Sequence, residues 1–151
     1  MHASPRSGSR GTSLLEVLVA IGLLVLLLAI GVPRLNAFRA PYALSGAVRQ
    51  VAADVQLARQ RAIARNTRYR ISFNAAAGTY NLEREVTTNT WVDDAGLQRL
   101  PTGVTLGTIL PSNPVFDTRG MLGAAVTIPV TGATGKVKTV TVNVLGQTTI
   151  S

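Results

Sequence analysis

The stretch RGTSLLEVLVAIGLLVLLLAIGVP, residues 10–33, decides how the rest of the chain is read. Residues 14–32 contain a single ionisable group, Glu16. A helix of that length spans roughly 28 Å, close to the hydrocarbon thickness of a bilayer. The run is too long and too uniformly apolar for an ordinary core helix. Arg6 and Arg10 precede it with no acid beside them, which keeps the short N-terminal end on the cytoplasmic side. Arg34 and Arg39 follow the run and oppose that bias. A cleaved secretory signal would need a shorter apolar core and a small-residue cleavage site. Pro33-Arg34-Leu35 does not supply one. An uncleaved signal anchor remains as a plain alternative.

Glu16 stands out chemically, because a carboxylate within an apolar span costs a few kcal/mol. It lies within a turn of the start of the run, where it can reach the interface. It can also be retained for a function.

The chain has 151 residues, enough for one folded domain beyond this run. Hydrophobic residues make up 46% and charged residues 15%, with mean hydropathy +0.28, which excludes a disordered chain. Fifteen bases against seven acids give +8, a balance that suits nucleic acid or an anionic membrane surface. With no Cys and only His2, thiolate catalysis, His-based triads and Cys or multi-His metal sites are excluded. No phosphate-binding or dinucleotide fingerprint is present. No enzyme activity, cofactor or metal is expected. Asp93-Asp94 is read as a pair of solvated acids in a surface loop, residues 89–96, because adjacent side chains in an extended loop point apart.

Pro33 and Pro41 are expected to punctuate a transition between two helices. From Tyr42 to about Asn66, Leu44, Val48, Val51, Val55, Ala58 and Ala62 form one apolar stripe at helical spacing. A stripe that narrow needs a sheet to pack on, and Asn66 is the expected stop. From Thr67 the period changes to two. Tyr69, Ile71 and Phe73 alternate with Arg68, Arg70 and Ser72. Residues 74–78 read as a hairpin loop. With Phe73 facing Tyr80, Arg70 faces Glu83 and Arg68 faces Glu85. Further strands are expected at 103–110, 115–117, 125–130, 136–145 and 147–150. The fold class is α+β: a long N-terminal transmembrane helix continuing into a helix packed on antiparallel sheet, either one sheet or two small ones.

Arg10-Gly11-Thr12-Ser13-Leu14-Leu15-Glu16 and the apolar run to Pro33 resemble the leader and helix of type IV pilins and type II secretion pseudopilins. The segments 57–66 and 69–73, Val115-Phe116-Asp117-Thr118-Arg119-Gly120, and the closing 140–150 are similar to the GspH/FimT branch. The resemblance implies cleavage by a prepilin peptidase between Gly11 and Thr12, with N-methylation at Thr12. The family's first mature residue is usually Phe; here it is Thr. It implies a division into a leader at 1–11, a membrane and filament-core helix at 12–33, an amphipathic helix at 34–66 and a periplasmic β-domain at 67–151. Glu16 and Pro33 fall at the family's assembly positions, with Glu16 facing the new α-amino group of a neighbouring or the same subunit. The implied partners are the peptidase, other pilin or pseudopilin subunits, an inner-membrane assembly platform and membrane lipid. The implied location is the inner membrane, N-terminus cytoplasmic and C-terminal domain periplasmic, and then the pilus or pseudopilus.

An alternative function is DNA binding in natural transformation. Arg59, Arg61 and Arg65, with Arg68 and Arg70 beyond them, form the candidate surface. Against it, the end of the chain, Gly146-Gln147-Thr148-Thr149-Ile150-Ser151, carries no base. Arg68 and Arg70 also have prospective partners in Glu85 and Glu83. Secretion pseudopilus and type IV pilus are equally compatible with these residues.

Overall fold

The computed structural model describes residues 13–151, with the backbone alone for residues 32–40. The leader, Gly11 and Thr12 lie outside the described residues, as does the side chain of Pro33. Helix α1 covers Leu14–Ala64. It continues through Pro33 and Pro41, the positions expected to mark the passage from the first helix into the second. Each proline removes only its own N–H from the ladder, and the flanking bonds carry the helix on. The chain divides into two compact units, one ending at Ala37 and one covering Phe38–Ser151.

In the first unit, Leu14–Gly31 has a mean hydropathy of 2.8 and none of it is buried. The second unit is built on the part of α1 beyond Phe38. Leu44, Val48, Val51, Val55, Ala58 and Ala62, the expected stripe, are all at most 3% exposed, and Ala47 joins them. The helix stops where Asn66 takes φ 48°. Thr67 N–H then reaches back to Ala62 O at 3.2 Å, closing the last turn.

Eight strands follow: β1 Tyr69–Asn74, β2 Thr79–Thr87, β3 Thr90–Arg99, β4 Thr105–Leu106, β5 Val115–Phe116, β6 Val126–Thr131, β7 Val137–Val142 and β8 Thr148–Ile150. They form two antiparallel sheets, ordered β3-β2-β1-β5 and β4-β6-β7-β8. The first hairpin has the expected register, Phe73 opposite Tyr80 and Arg70 opposite Glu83. Alternation along the strands aims Tyr69, Ile71, Tyr80 and Leu82 from one sheet, and Ile128, Val130, Val140 and Val142 from the other, into one core with the stripe of α1.

The expected loop at 89–96 is instead most of β3. A two-residue turn, Thr88-Asn89, folds it back onto β2, with Asn89 at φ 60° and its N–H on Glu85 Oε1 at 2.8 Å. No residue of β3 is buried, so the strand lacks the apolar alternation by which strands are recognised.

Candidate functional site

The arginine-bearing face of α1 is the candidate surface, and its members separate into two settings. Arg59 lies against two turns of the same construction. In the first, Asp117 Oδ1 accepts the N–H groups of Arg119 and Met121, while Asp117 O accepts from Gly120 N. In the second, Asn143 Oδ1 accepts from Leu145 and Gln147, while Asn143 O accepts from Gly146 N. Both turns end on a glycine in the left-handed region, φ 75° at Gly120 and 74° at Gly146. The backbone hydrogen bond from Met121, ahead of those from Arg119, holds the Asp117 carboxyl below its ordinary range.

Arg59 Nε donates to Gly120 O at 3.1 Å. A Cβ on Gly146 would sit 2.5 Å from Gly120 O and 2.6 Å from Arg59 Cδ. A Cβ on Gly120 would sit 2.7 Å from Ile63 Cδ1. The two turns therefore touch each other and the Arg59 stem at distances only glycine permits. One helical turn earlier, Gln56 Nε2 donates to Gly146 O at 3.0 Å and to Thr148 Oγ1.

Arg61 and Arg65 meet elsewhere, on Asp94 of β3. Arg61 Nη1 donates to Asp94 Oδ2 at 2.9 Å, and Arg65 Nη1 to Oδ1 at 2.7 Å. Tyr69 OH, from a side chain in the core, donates to Oδ2 at 3.1 Å. Burial raises the Asp94 carboxyl. Hydrogen bonds from Arg65 and Tyr69, with the charges of Arg65 and Arg61, outweigh that and hold it below the ordinary carboxylate range. Burial, then the bond to Asp94, raises the Tyr69 phenol. The reading of Asp93-Asp94 as solvated loop acids is thereby corrected. Asp94 is a largely covered acceptor, with 15% of its side chain exposed. Asp93 turns the other way and accepts from Ala95 and Gly96 N–H. The two acids do point apart, because neighbouring strand residues face opposite sides.

Arg68 and Arg70 reach the partners expected for them: Arg68 Nη1 lies 2.9 Å from Glu85 Oε1, and Arg70 Nε 2.5 Å from Glu83 Oε2. Both guanidinium groups also lie over the Trp91 ring, at 5.6 and 4.5 Å from its centre. Four of the five clustered arginines are thus engaged by carboxylates. The fifth is held by a backbone carbonyl.

Glu16 lies in the first turn of α1, among exposed leucines and valines. An open groove of about 550 Å³ borders β5, but Asp117 and Arg119 within it are already bonded to each other. Among the described residues, no three of His, Cys, Asp and Glu come together as a metal set.

The chain matches the family described as type II transport protein GspH over residues 47–146. No protein of curated function is similar enough in sequence to match. Solved structures that share the fold include those of two proteins. One is the minor pseudopilin EpsH of the Vibrio cholerae type 2 secretion system, with TM-score 0.61, 10% identity, and coverage of 72% of this chain and 95% of that one. The other is the type IV minor pilin FimU of Pseudomonas aeruginosa, with TM-score 0.60, 13% identity, and coverage of 72% and 87%.

Proposed function

This chain belongs to the family of the type II transport protein GspH, a family of structural pilin-like subunits, and on that premise we propose that it is a minor subunit of a type II secretion pseudopilus or type IV pilus. The observation that carries the proposal is the junction of two opposites. A fully exposed apolar helix, Leu14–Gly31, precedes a domain whose own apolar stripe is closed over by two sheets. Such a helix needs lipid before assembly and neighbouring helices after it. The N-terminus lies on the cytoplasmic side and the β-domain in the periplasm. A prepilin peptidase cuts between Gly11 and Thr12, Thr12 is methylated, and the assembly platform delivers the subunit to the filament.

Glu16 pairs with the freed α-amino group in the dry filament core. A buried carboxylate there requires a cation, so the pair rewards axial register. Pro33 adjusts the helix path beyond the span. The DNA-receptor reading finds less support, since Arg61 and Arg65 already share Asp94 and Arg59 lies between two turns.

Co-expression with a prepilin peptidase tests the proposal. The intact mass is expected to fall by residues 1–11, and Gly11→Val is expected to retain them. A wild-type chain that is never shortened overturns the processing reading in favour of a plain membrane anchor.

A further inference from the structure

The cations of the folded unit are segregated along α1. Of those toward its C-terminal end, Arg61 and Arg65 have Asp94, Arg68 has Glu85 and Arg70 has Glu83, while Arg59 is held by Gly120 O. Those at the opposite end have no carboxylate within 4 Å among the described residues. Lys138 Nζ reaches across to Ser45 Oγ on α1 at 3.3 Å. Arg49 stands one helical turn beyond Ser45, on the same side, and is exposed. Lys136 is exposed immediately before β7, two residues ahead of Lys138. Gly132, whose N–H is bonded to Lys136 O, lies directly under Leu44. Tyr42, 78% exposed, completes this end. The one acid on the neighbouring turns of α1, Asp54, accepts the phenolic hydrogen of Tyr80 at 2.5 Å. Three cations and a tyrosine therefore share a surface on which no Asp or Glu side chain is free among the described residues, and Ser151 O accepts from Thr139 N–H beside Lys138.

That surface is also where the chain enters the folded unit. Residues 32–41, which span at most about 35 Å when extended, separate it from the apolar segment ending at Gly31. We infer that Arg49, Lys136 and Lys138 form a docking surface for anionic phospholipid headgroups of the leaflet from which α1 emerges. It seats the unassembled domain on the membrane. Charge complementarity selects the lipid, and tethering keeps the surface within reach. Lysine and arginine side chains add roughly a factor of five each to partitioning onto an anionic surface, and the effect fades beyond about 10 Å. Tyr42 suits the headgroup layer, being apolar along its ring and polar at its tip. The inference rests on the reading of Leu14–Gly31 as a membrane span.

The chain has no cysteine, so Thr134→Cys gives a unique label beside Lys136, and Thr88→Cys one on the β2–β3 turn. Full-length protein is reconstituted into vesicles of phosphatidylcholine alone, or of phosphatidylcholine with phosphatidylglycerol, each carrying headgroup spin labels as quenchers. Resistance to alkaline extraction reports the span separately; release from the vesicles overturns the spanning reading and this inference with it. In retained protein, the Thr134→Cys label is expected to be quenched in the anionic vesicles only, and the Thr88→Cys label in neither. Arg49→Gln with Lys136→Gln and Lys138→Gln is expected to weaken the docking equilibrium roughly a hundredfold. The charge-conserving set Arg49→Lys, Lys136→Arg and Lys138→Arg is expected to keep it. Equal quenching in both vesicles, or an unchanged triple Gln variant, overturns the inference. So does retention of duplex DNA at physiological salt that the triple Gln variant loses, without headgroup quenching, which would make this a nucleic-acid surface.

Discussion

Arg65 Nη1 sits 2.7 Å from one carboxylate oxygen of Asp94 and 2.9 Å from the other, while Tyr69 OH approaches the same carboxylate from the core. This arrangement ties the last turns of α1 to the outermost strand of the first sheet. Asp94→Asn leaves the Tyr69 hydroxyl and two guanidinium groups without their anion. The expected loss is about 1–2 kcal/mol, after allowance for the solvent that already screens the pair. Chemical denaturation of the two proteins measures it. A variant as stable as wild type would remove the structural role given to Asp94.

The same carboxylate gives a pH signature. Its folded pKa lies below the unfolded value, so its contribution is complete above the ordinary carboxylate value near pH 4. It is lost as pH falls from there through the lower folded value. The gap in stability between wild type and Asp94→Asn is expected to be constant from neutral pH down to about 4, then to close. A gap that widens with acidification would contradict the depressed pKa.

Gly146→Ala is expected to destabilise more than Gly135→Ala. Both glycines have positive φ, 74° and 78°, so both variants carry backbone strain, of order 1–3 kcal/mol. A Cβ at position 135 meets nothing within 4 Å, whereas one at 146 collides with Gly120 O and Arg59. The difference between their melting temperatures isolates the collision. Equal melting temperatures would mean that the two turns can separate freely.

Glu16→Ala is expected to insert into the membrane at least as well as wild type, because an ionisable group is gone from the span. Under the assembly reading it nevertheless fails to enter filaments. Quantifying the variant in sheared filaments and in membranes decides the matter. Normal incorporation would separate Glu16 from assembly.

Duplex DNA is expected to be retained by the whole chain at low salt only, through counterion release. Arg61→Ala with Arg65→Ala should change that retention little, since both side chains are spent on Asp94. Retention at physiological salt that these substitutions abolish, with Arg59→Ala, would revive the DNA-receptor reading.

The helix stripe and the β1–β2 register were legible because burial imposes a period on the sequence. Phe73 and Tyr80, with Arg70 and Glu83, define the pairing by their spacing alone. β3 was not, because an edge strand with no buried residue has no apolar side to display. With it went the role of Asp94, which reads as a loop acid until its strand is placed beside Tyr69. The expected strand at 103–110 shrinks to β4 and an isolated bridge from Leu110 to Thr127. Its proline and glycine neighbours interrupt the ladder there. Arg59 was read as part of a basic patch because its neighbours in space lie far away in sequence. The recurring pattern Asp117-x-x-Gly120 and Asn143-x-x-Gly146 was the available clue.

Those paired turns also set an order of events during synthesis. Arg59 is made early, and the glycine that closes over it is 87 positions later in the chain. Until Gly146 has left the ribosome, the second turn does not exist and Gln56 has no carbonyl to hold. The apolar stripe of α1 must therefore wait for nearly all of the domain, as in other folds dominated by contacts distant in sequence. Through that interval the nascent helix carries two uncovered apolar surfaces, one destined for the sheets and one for lipid. On the reading of Leu14–Gly31 as a membrane span, its early capture by lipid would keep them from finding each other.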